Sequence, residues 1–253
     1  MSNIFDALRK KQGDERRGRA RGDGLPFQPQ GRSAVAENRE IDFRLTRELE
    51  ALRERIELEL PQADRRVVGI AASTVGEGAT TVGLHLAQII ARTSEAKVLL
   101  IDGDLSGSPM TLSRAVGSME PLAGLVELLA GSVDLSKTVL STDEPNLHFL
   151  PSGRDTTRPV EVLSSARMRQ FLEDMGQLYG FVIVDCPPIL DHPEAPVRGA
   201  LTEGVLLVVR AHRTRREVVQ RALALLQGAR CRVLGVVLNH RSYPIPEFLY
   251  RRL

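Results

Sequence analysis

The most constraining feature of this sequence is the stretch from Val67 to Ala91, which reads VVGIAASTVGEGATTVGLHLAQIIA. It combines an apolar strand, a turn rich in glycine and an amphipathic helix that is predicted to begin at Thr80. Glycines in such a turn let backbone N–H groups converge on phosphate oxygens, and the N-terminus of the following helix adds a favourable partial charge. The stretch therefore predicts a phosphate-binding loop. Its predicted nucleotide-binding residues are Gly76, Glu77, Gly78, Ala79, Thr80 and Thr81.

One position of this loop departs from the motif. A lysine is needed directly before Thr80, where it reaches the β- and γ-phosphates while the hydroxyl binds Mg²⁺. Ala79 occupies that position, and Thr74 stands where a variant of the motif carries a second lysine near the loop start. The sequence therefore predicts a nucleotide fold without its principal phosphate cation. Arg210, Arg213 or an arginine from a neighbouring subunit are the alternatives for a substitute cation.

Two further apolar runs are predicted to deliver carboxylates to the same edge of a sheet. Val98–Ile101 precedes Asp102 and Asp104, and the run FVIV precedes Asp185 and two prolines. Ligands of open α/β sheets bind at the carboxyl ends of the strands, where carboxylates suit Mg²⁺ and the positioning of water. A strand-end aspartate can also cap a helix, and that alternative stays open for Asp102 and Asp104 taken alone.

The order of predicted elements indicates the fold class. Further strands are predicted at Leu147–Leu150, at Gly204–Val209 and in the run VLGVVLN that ends at Asn239, with helices from about 165 to 178 and from about 215 to 227. Alternating strands and helices predict an α/β fold with a doubly wound, mostly parallel sheet and right-handed crossovers. The site is expected along the carboxyl edge of the strands.

Composition limits the remaining function classes. The chain has 253 residues and a formal net charge of +2, so its overall charge favours no nucleic-acid partner. Neither a secretory signal nor an apolar run of about 18 residues is present, which predicts a cytoplasmic chain, peripheral where it meets a membrane. Cys186 and Cys231 are predicted to be buried reduced thiols, and the histidines show no metal-ligand spacing.

Four segments are predicted along the chain. Residues 1–36 form a short amphipathic helix on a basic disordered linker, which is either a docking peptide for a membrane or partner or a solvated tail. Residues 37–61 form a long amphipathic helix whose apolar stripe covers the flank of the domain or a neighbouring subunit. Residues 62–241 form the nucleotide-binding domain, and residues 242–253 form a C-terminal tail.

Several motifs occur in an order that resembles the cytoplasmic domain of the bacterial tyrosine kinases of capsule and exopolysaccharide synthesis, within the ParA/MinD branch of P-loop proteins. In chain order these motifs are GEG-x-TT at 76–81, VLLIDGDL at 98–105, GLVELLAG at 124–131, PNLHFLPSG at 145–153, FVIVDCPP at 181–188 and GVLLVVRAHRTRREVV from 204. A series of motifs in the right order over some 200 residues is more specific than one loop pattern.

The resemblance implies roles for individual residues. Thr80, Asp102 and Asp185 would serve Mg²⁺, Asp104 would act with Asp102 around the attacking group, and Asn239 would contact adenine. Arg44 and Arg47 match two arginines that mediate ring assembly in the family, whereas Ile41 stands at the position of the partnering acid, between Glu40 and Asp42. The tail offers only Tyr243 and Tyr250 where active members carry a tyrosine cluster that is phosphorylated in trans.

Three hypotheses for function follow. The first is a catalytically impaired kinase-like sensor or scaffold that binds ATP or ADP with Mg²⁺ weakly, or no longer binds it, and docks on a membrane-anchored polysaccharide copolymerase. The second is an active tyrosine autokinase or ATPase that uses a substitute cation. The third is a positioning ATPase of the ParA/MinD kind.

Overall fold

The computed structural model describes residues 25–29, 43–60, 66–105, 112, 122–154 and 166–240. The helices in these ranges are α1 (Phe43–Glu59), α2 (Ala79–Thr93), α3 (Leu125–Ala130), α4 (Ala166–Leu178), α5 (Ala195–Gly199) and α6 (Arg216–Gly228). The strands are β1 (Val67–Ala72), β2 (Val98–Asp102), β3 (Leu140–Ser141), β4 (Leu147–Leu150), β5 (Phe181–Asp185), β6 (Gly204–Arg210) and β7 (Val233–Asn239).

The strands form one seven-stranded sheet in the order β3-β4-β2-β5-β1-β6-β7. All neighbouring strands are parallel except β3, which pairs antiparallel with β4 at one edge. This architecture confirms the predicted α/β fold with a mostly parallel sheet. Sequence patterns missed β3, α3 and α5, because elements of two to six residues are too short to show a hydrophobic period.

The central strands are continuous apolar runs because helices cover both faces of the sheet. Every residue of β1, β2 and β5 is buried. One core cluster packs α1 and α2 against the first face, and a second cluster packs α3, α4 and α6 against the other. β1 lies at the centre of this arrangement, between β5 and β6. The loop that follows β1 is therefore flanked by the carboxyl ends of both neighbouring strands.

The apolar stripe of α1 covers the flank of the domain. Leu49 and Ile56 are buried, as is Leu60 just beyond the helix, and Leu45 and Leu52 pack against the same core cluster. Of the two surfaces that the sequence left open for the stripe, the domain flank and a neighbouring subunit, the structure shows the domain flank. The described helix starts later than the predicted 37–61 segment, and α2 begins at Ala79, one residue before the predicted start.

Other predictions have separate outcomes. Cys186 and Cys231 are free and buried, which confirms their prediction, and burial raises the pKa of the Cys186 thiol to about 12. Within the predicted disordered linker, Leu25 and Phe27 pack against the second core cluster, so that prediction is wrong for this short stretch. The predicted N-terminal amphipathic helix and the tail tyrosines lie outside the described residues. None of the described helices is long and apolar enough to span a bilayer.

Candidate nucleotide site

The loop between β1 and α2 has the backbone form of a phosphate cradle. Gly76 and Gly78 have positive φ angles of 84° and 90°, which glycine adopts without strain. Val82 is the first residue of α2 whose N–H bonds back along the helix, to the Gly78 carbonyl. The N–H groups of Ala79 and its successors at the helix start lack an intrahelical partner, so they are available to bind an anion at the loop.

Glu77 organises this loop from within. Its side chain is 3% exposed, and its Oε2 accepts hydrogen bonds from the backbone N–H groups of Ser73 at 2.7 Å and Thr74 at 3.1 Å. Its Oε1 accepts a hydrogen bond from the Thr214 hydroxyl. The carboxylate therefore closes the loop onto itself and ties it to the turn after β6. Its role in this structure is to shape the loop.

Asn239 holds the other side of the loop. Its Nδ2 donates to the Glu77 carbonyl at 2.9 Å, and its Oδ1 accepts from the His240 N–H at 2.8 Å. A Cβ at Gly78 would lie 2.3 Å from the same Nδ2, so only glycine allows this approach. Contact of Asn239 with adenine stays a prediction, and it requires the amide to serve both the loop and the base.

Ala79 is 7% exposed and occupies the first position of α2. Its methyl group packs into the core cluster beneath the loop and carries no charge. The loop therefore offers phosphate its N–H dipoles without a cation of its own. Thr81 is exposed at the same helix start, and Thr80 is half-buried.

The two predicted strand-end carboxylates lie side by side. Asp102 and Asp185 are register partners on β2 and β5, and both are buried. Burial, followed by the charge of Asp102, raises the pKa of Asp185 well above its usual range. The Thr80 hydroxyl opposes this shift, and the charge of Asp104 makes a smaller contribution that adds to it. The pair is therefore costly to keep charged without a nearby cation.

This donor set fits Mg²⁺. Both Asp185 oxygens are shielded from solvent, and neither has a hydrogen-bond partner of regular geometry among the described residues. A divalent cation would stabilise the charged pair, and hard oxygen donors are what Mg²⁺ selects. No group of three His, Cys, Asp or Glu in the described ranges is arranged around one metal position. Mg²⁺ would thus take its remaining ligands from phosphates and water, as it commonly does.

Arg198 is a buried cation that contacts the backbone between Asp102 and Asp104, and the sequence analysis missed it. It is 7% exposed, and its Nη1 donates at 3.0 Å to the carbonyl of Gly103, the residue between Asp102 and Asp104. Gly103 in turn donates its N–H to the Asp185 carbonyl at 2.9 Å. Arg198 therefore fixes the segment that carries two of the predicted aspartates. No motif marks it, because its partner lies 95 residues away.

A cleft of about 450 Å³ opens beside the loop, between residues 74–77 and the turn that follows β6. Arg210, Arg213 and Arg215 line it. The structure thus brings both arginines named from the sequence, Arg210 and Arg213, next to the loop that lacks a lysine. Of the two residues predicted for self-assembly, Arg47 is exposed on α1, and the side chain of Arg44 lies outside the described part of the chain.

The fold and the loop place this protein in the class of AAA domains, because residues 65–209 match a family with that description. The septum site-determining protein MinD of Pyrococcus horikoshii OT3, in complex with Mg-ADP, shares the fold with a TM-score of 0.58 at 23% identity, over 74% of this chain and 76% of that chain.

The particular family follows from closer relatives. The tyrosine-protein kinase YwqD of Bacillus subtilis is 30% identical over 74% of this chain and 78% of its own length. The tyrosine-protein kinase CpsD of Streptococcus agalactiae is 28% identical over 77% and 82%, respectively. The kinase domain of the Escherichia coli tyrosine kinase ETK has a TM-score of 0.73 and 26% identity, over 92% of this chain and 89% of that chain. The chain belongs to the bacterial tyrosine-protein kinases, which confirms the resemblance inferred from its motifs.

Proposed function

We propose that this chain is a kinase-like component of exopolysaccharide or capsule synthesis that responds to bound nucleotide and phosphorylates tyrosine poorly. The observation that carries the proposal is the combination of a complete loop backbone and buried paired carboxylates with Ala79 at the lysine position. Backbone N–H groups and the carboxylates that would hold Mg²⁺ contribute to binding, whereas the missing lysine would neutralise the negative charge that grows on the transferred phosphoryl group. Binding is therefore retained better than transfer.

In this proposal Mg²⁺ supplies charge neutralisation between the carboxylates and the phosphates. Asp102, Asp185 and Thr80 are the residues that would hold it, and Asp104 would lie beside the attacking group. The Glu77 network keeps the loop in the shape that receives phosphate. The loss of a phosphate clamp of this kind reduces phosphoryl transfer by about a thousandfold or more.

The proposed partner is a membrane-anchored polysaccharide copolymerase on the inner face of the cytoplasmic membrane. Membership of the kinase family supports the setting, and the docking segment would be residues 1–36. Arg44 and Arg47 would contribute to self-assembly, which is compatible with the exposed position of Arg47 on α1. Occupancy of the nucleotide site would then alter assembly or docking.

Calorimetric titration with MgADP and MgATP tests the proposal, with Ala79→Lys as the matched variant. We expect the native chain to bind in the micromolar range and the variant to bind about ten- to a hundredfold more tightly, because it regains one charge-assisted phosphate contact. Transfer from γ-labelled ATP should be near background for the native chain and rise in the variant. If only the variant binds nucleotide, the native site is a relic and the nucleotide-responsive role is wrong.

A second experiment addresses the role in the cell. We expect Asp185→Ala to reduce polysaccharide production less than removal of residues 1–36, because docking is the principal role in this proposal. A folded Asp185→Ala protein that abolishes production would contradict it.

A second candidate function is an active autokinase, and the arginine-lined cleft beside the loop is the observation that favours it. It predicts that label from γ-labelled ATP appears on Tyr243 or Tyr250 in the native chain and disappears in the corresponding Tyr→Phe variants. The absence of label on a nucleotide-binding native chain would exclude this candidate.

A further inference from the structure

The position of β1 places two oppositely charged groups around one loop. β5 and β6 are the neighbours of β1, so the loop after β1 lies between the carboxyl ends of both. The β5 end carries Asp185, which is 2% exposed; apart from the Thr80 hydroxyl, its oxygens have no hydrogen-bond donor among the described residues, as suits a cation. The β6 end carries Arg210 and the arginines that follow it. A polyphosphate on the loop would meet a carboxylate and its metal on one side and guanidinium groups on the other.

The turn that carries these arginines, residues 210–215, is held in a defined shape. The Arg210 carbonyl accepts the N–H groups of Arg213 at 3.3 Å and Thr214 at 3.0 Å. The Arg210 N–H donates to the Thr214 hydroxyl oxygen at 3.2 Å, and the Ala211 N–H donates to the Asn239 carbonyl at 2.9 Å. The irregular backbone of residues 211–215, between β6 and α6, is therefore fixed against the end of β7.

The same turn is attached to the loop. The Thr214 hydroxyl donates to Glu77, whose carboxylate also binds the first N–H groups of the loop. Asn239 completes the attachment, since it donates to the Glu77 carbonyl. The arginine turn and the phosphate cradle thus form one hydrogen-bonded unit, joined through the buried Glu77 carboxylate and the Asn239 amide.

The arginine side chains of this turn form no salt bridge within the described part of the chain. Arg210 is half-buried, Arg213 and Arg215 are exposed, and none of the three forms a salt bridge with a described acidic side chain. The one carboxylate that lines the cleft, Glu77, is already occupied by two N–H groups and a hydroxyl. The cleft therefore presents net positive charge, and guanidinium groups bind phosphate oxygens in a bidentate manner.

From this geometry we propose that Arg210 and Arg213 supply the phosphate-binding charge that Ala79 cannot, and that the site selects the polyphosphate of a nucleoside di- or triphosphate. This inference rests on the proposed function, because it concerns the same nucleotide site. The arginines approach from the β6 side, whereas the lysine of the motif would rise from the loop itself. The positive charge is thus supplied from the end of β6, and not from the start of α2.

A double-mutant cycle tests this proposal on the full chain. Arg210→Gln and Arg213→Gln, alone and together, are titrated with MgADP in the native and the Ala79→Lys backgrounds. Arg216→Gln is the control, because Arg216 begins α6 outside the residues that line the cleft. We expect each cleft variant to weaken MgADP binding about tenfold in the native background, because it loses one charge-assisted contact. In the Ala79→Lys background the same variants should weaken binding about twofold or less. The control should stay within about twofold.

A comparison of three ligands separates the arginine inference from the proposed function. Pyrophosphate with Mg²⁺ should show the same losses as MgADP, and adenosine should show none, because the arginines contact phosphate. If the native chain binds MgADP and the glutamine variants bind it equally well, this inference is wrong and the proposed function stands. If only the Ala79→Lys proteins bind MgADP, two proposals are wrong: that the arginines replace the missing lysine, and that the native chain responds to nucleotide. Thermal melting of each variant confirms that it is folded, and Arg213→Lys should restore part of the affinity.

Discussion

Replacement of Glu77 should destabilise the whole domain, although the residue lies in a loop. Its carboxylate accepts hydrogen bonds from the Ser73 and Thr74 N–H groups and from the Thr214 hydroxyl. Ser73 is completely buried, so its N–H has no access to water when the carboxylate is removed. A buried unsatisfied donor costs about 1–3 kcal/mol, and the two more accessible donors cost less because water can replace the lost acceptor. We expect Glu77→Ala to lower the free energy of unfolding by about 3–4 kcal/mol.

Urea denaturation and thermal melting measure this effect. For a domain of this size, about 3–4 kcal/mol corresponds to a fall of about 10 °C in the melting temperature. Glu77→Gln keeps the volume and one acceptor oxygen, and should cost about half as much as Glu77→Ala. Glu54→Ala is the surface control, because Glu54 is exposed on α1, and it should stay within about 0.5 kcal/mol. If Glu77→Ala unfolds within about 1 kcal/mol of the native chain, the carboxylate network does not hold the loop.

Three further predictions concern the loop and two buried ionisable groups. Gly78→Ala should lower the melting temperature more than Gly76→Ala, since both have positive φ but only the Gly78 Cβ would collide with the Asn239 amide. Asp185→Asn should raise the melting temperature in metal-free buffer at neutral pH. Burial raises the folded-state pKa of Asp185, so the unfolded state ionises first and stability falls as pH rises above the usual aspartate range; equal pH profiles for both proteins would contradict this. Burial, with Lys97 as the smaller cause, lowers the pKa of His148 from 6.5 to about 4. Because the unfolded state then binds the proton first, stability should fall by up to about 1.4 kcal/mol per pH unit as the pH drops from about 6.5 towards 4. Urea titrations at several pH values should show that His148→Gln flattens this profile.

The fold could be predicted from local patterns. The apolar runs that became β1, β2, β4 and β5 are buried on both faces, so they need no alternation and stand out as continuous hydrophobic segments. Alternation with amphipathic helices then leaves a parallel sheet as the simplest arrangement. The edge strand β3 escaped prediction, since two half-buried residues carry no such pattern.

The candidate site could be predicted in part for the same reason. Glycines, a helix start and strand-end aspartates are local features, and the carboxyl ends of parallel strands share one edge, so Asp102 and Asp185 were expected to meet near the loop. The absence of lysine at Ala79 is likewise a property of the sequence alone.

Tertiary structure decided which distant side chains join those features. Glu77 and Thr214 are 137 residues apart, Asn239 reaches the Glu77 carbonyl across 162 residues, and Arg198 reaches Gly103 across 95. No local pattern predicts such contacts, because they depend on strand order: β6 lies beside β1, and its end brings the arginine turn against the loop. The sequence determined that the loop lacks its lysine, and only the packed sheet decided that arginines stand next to it.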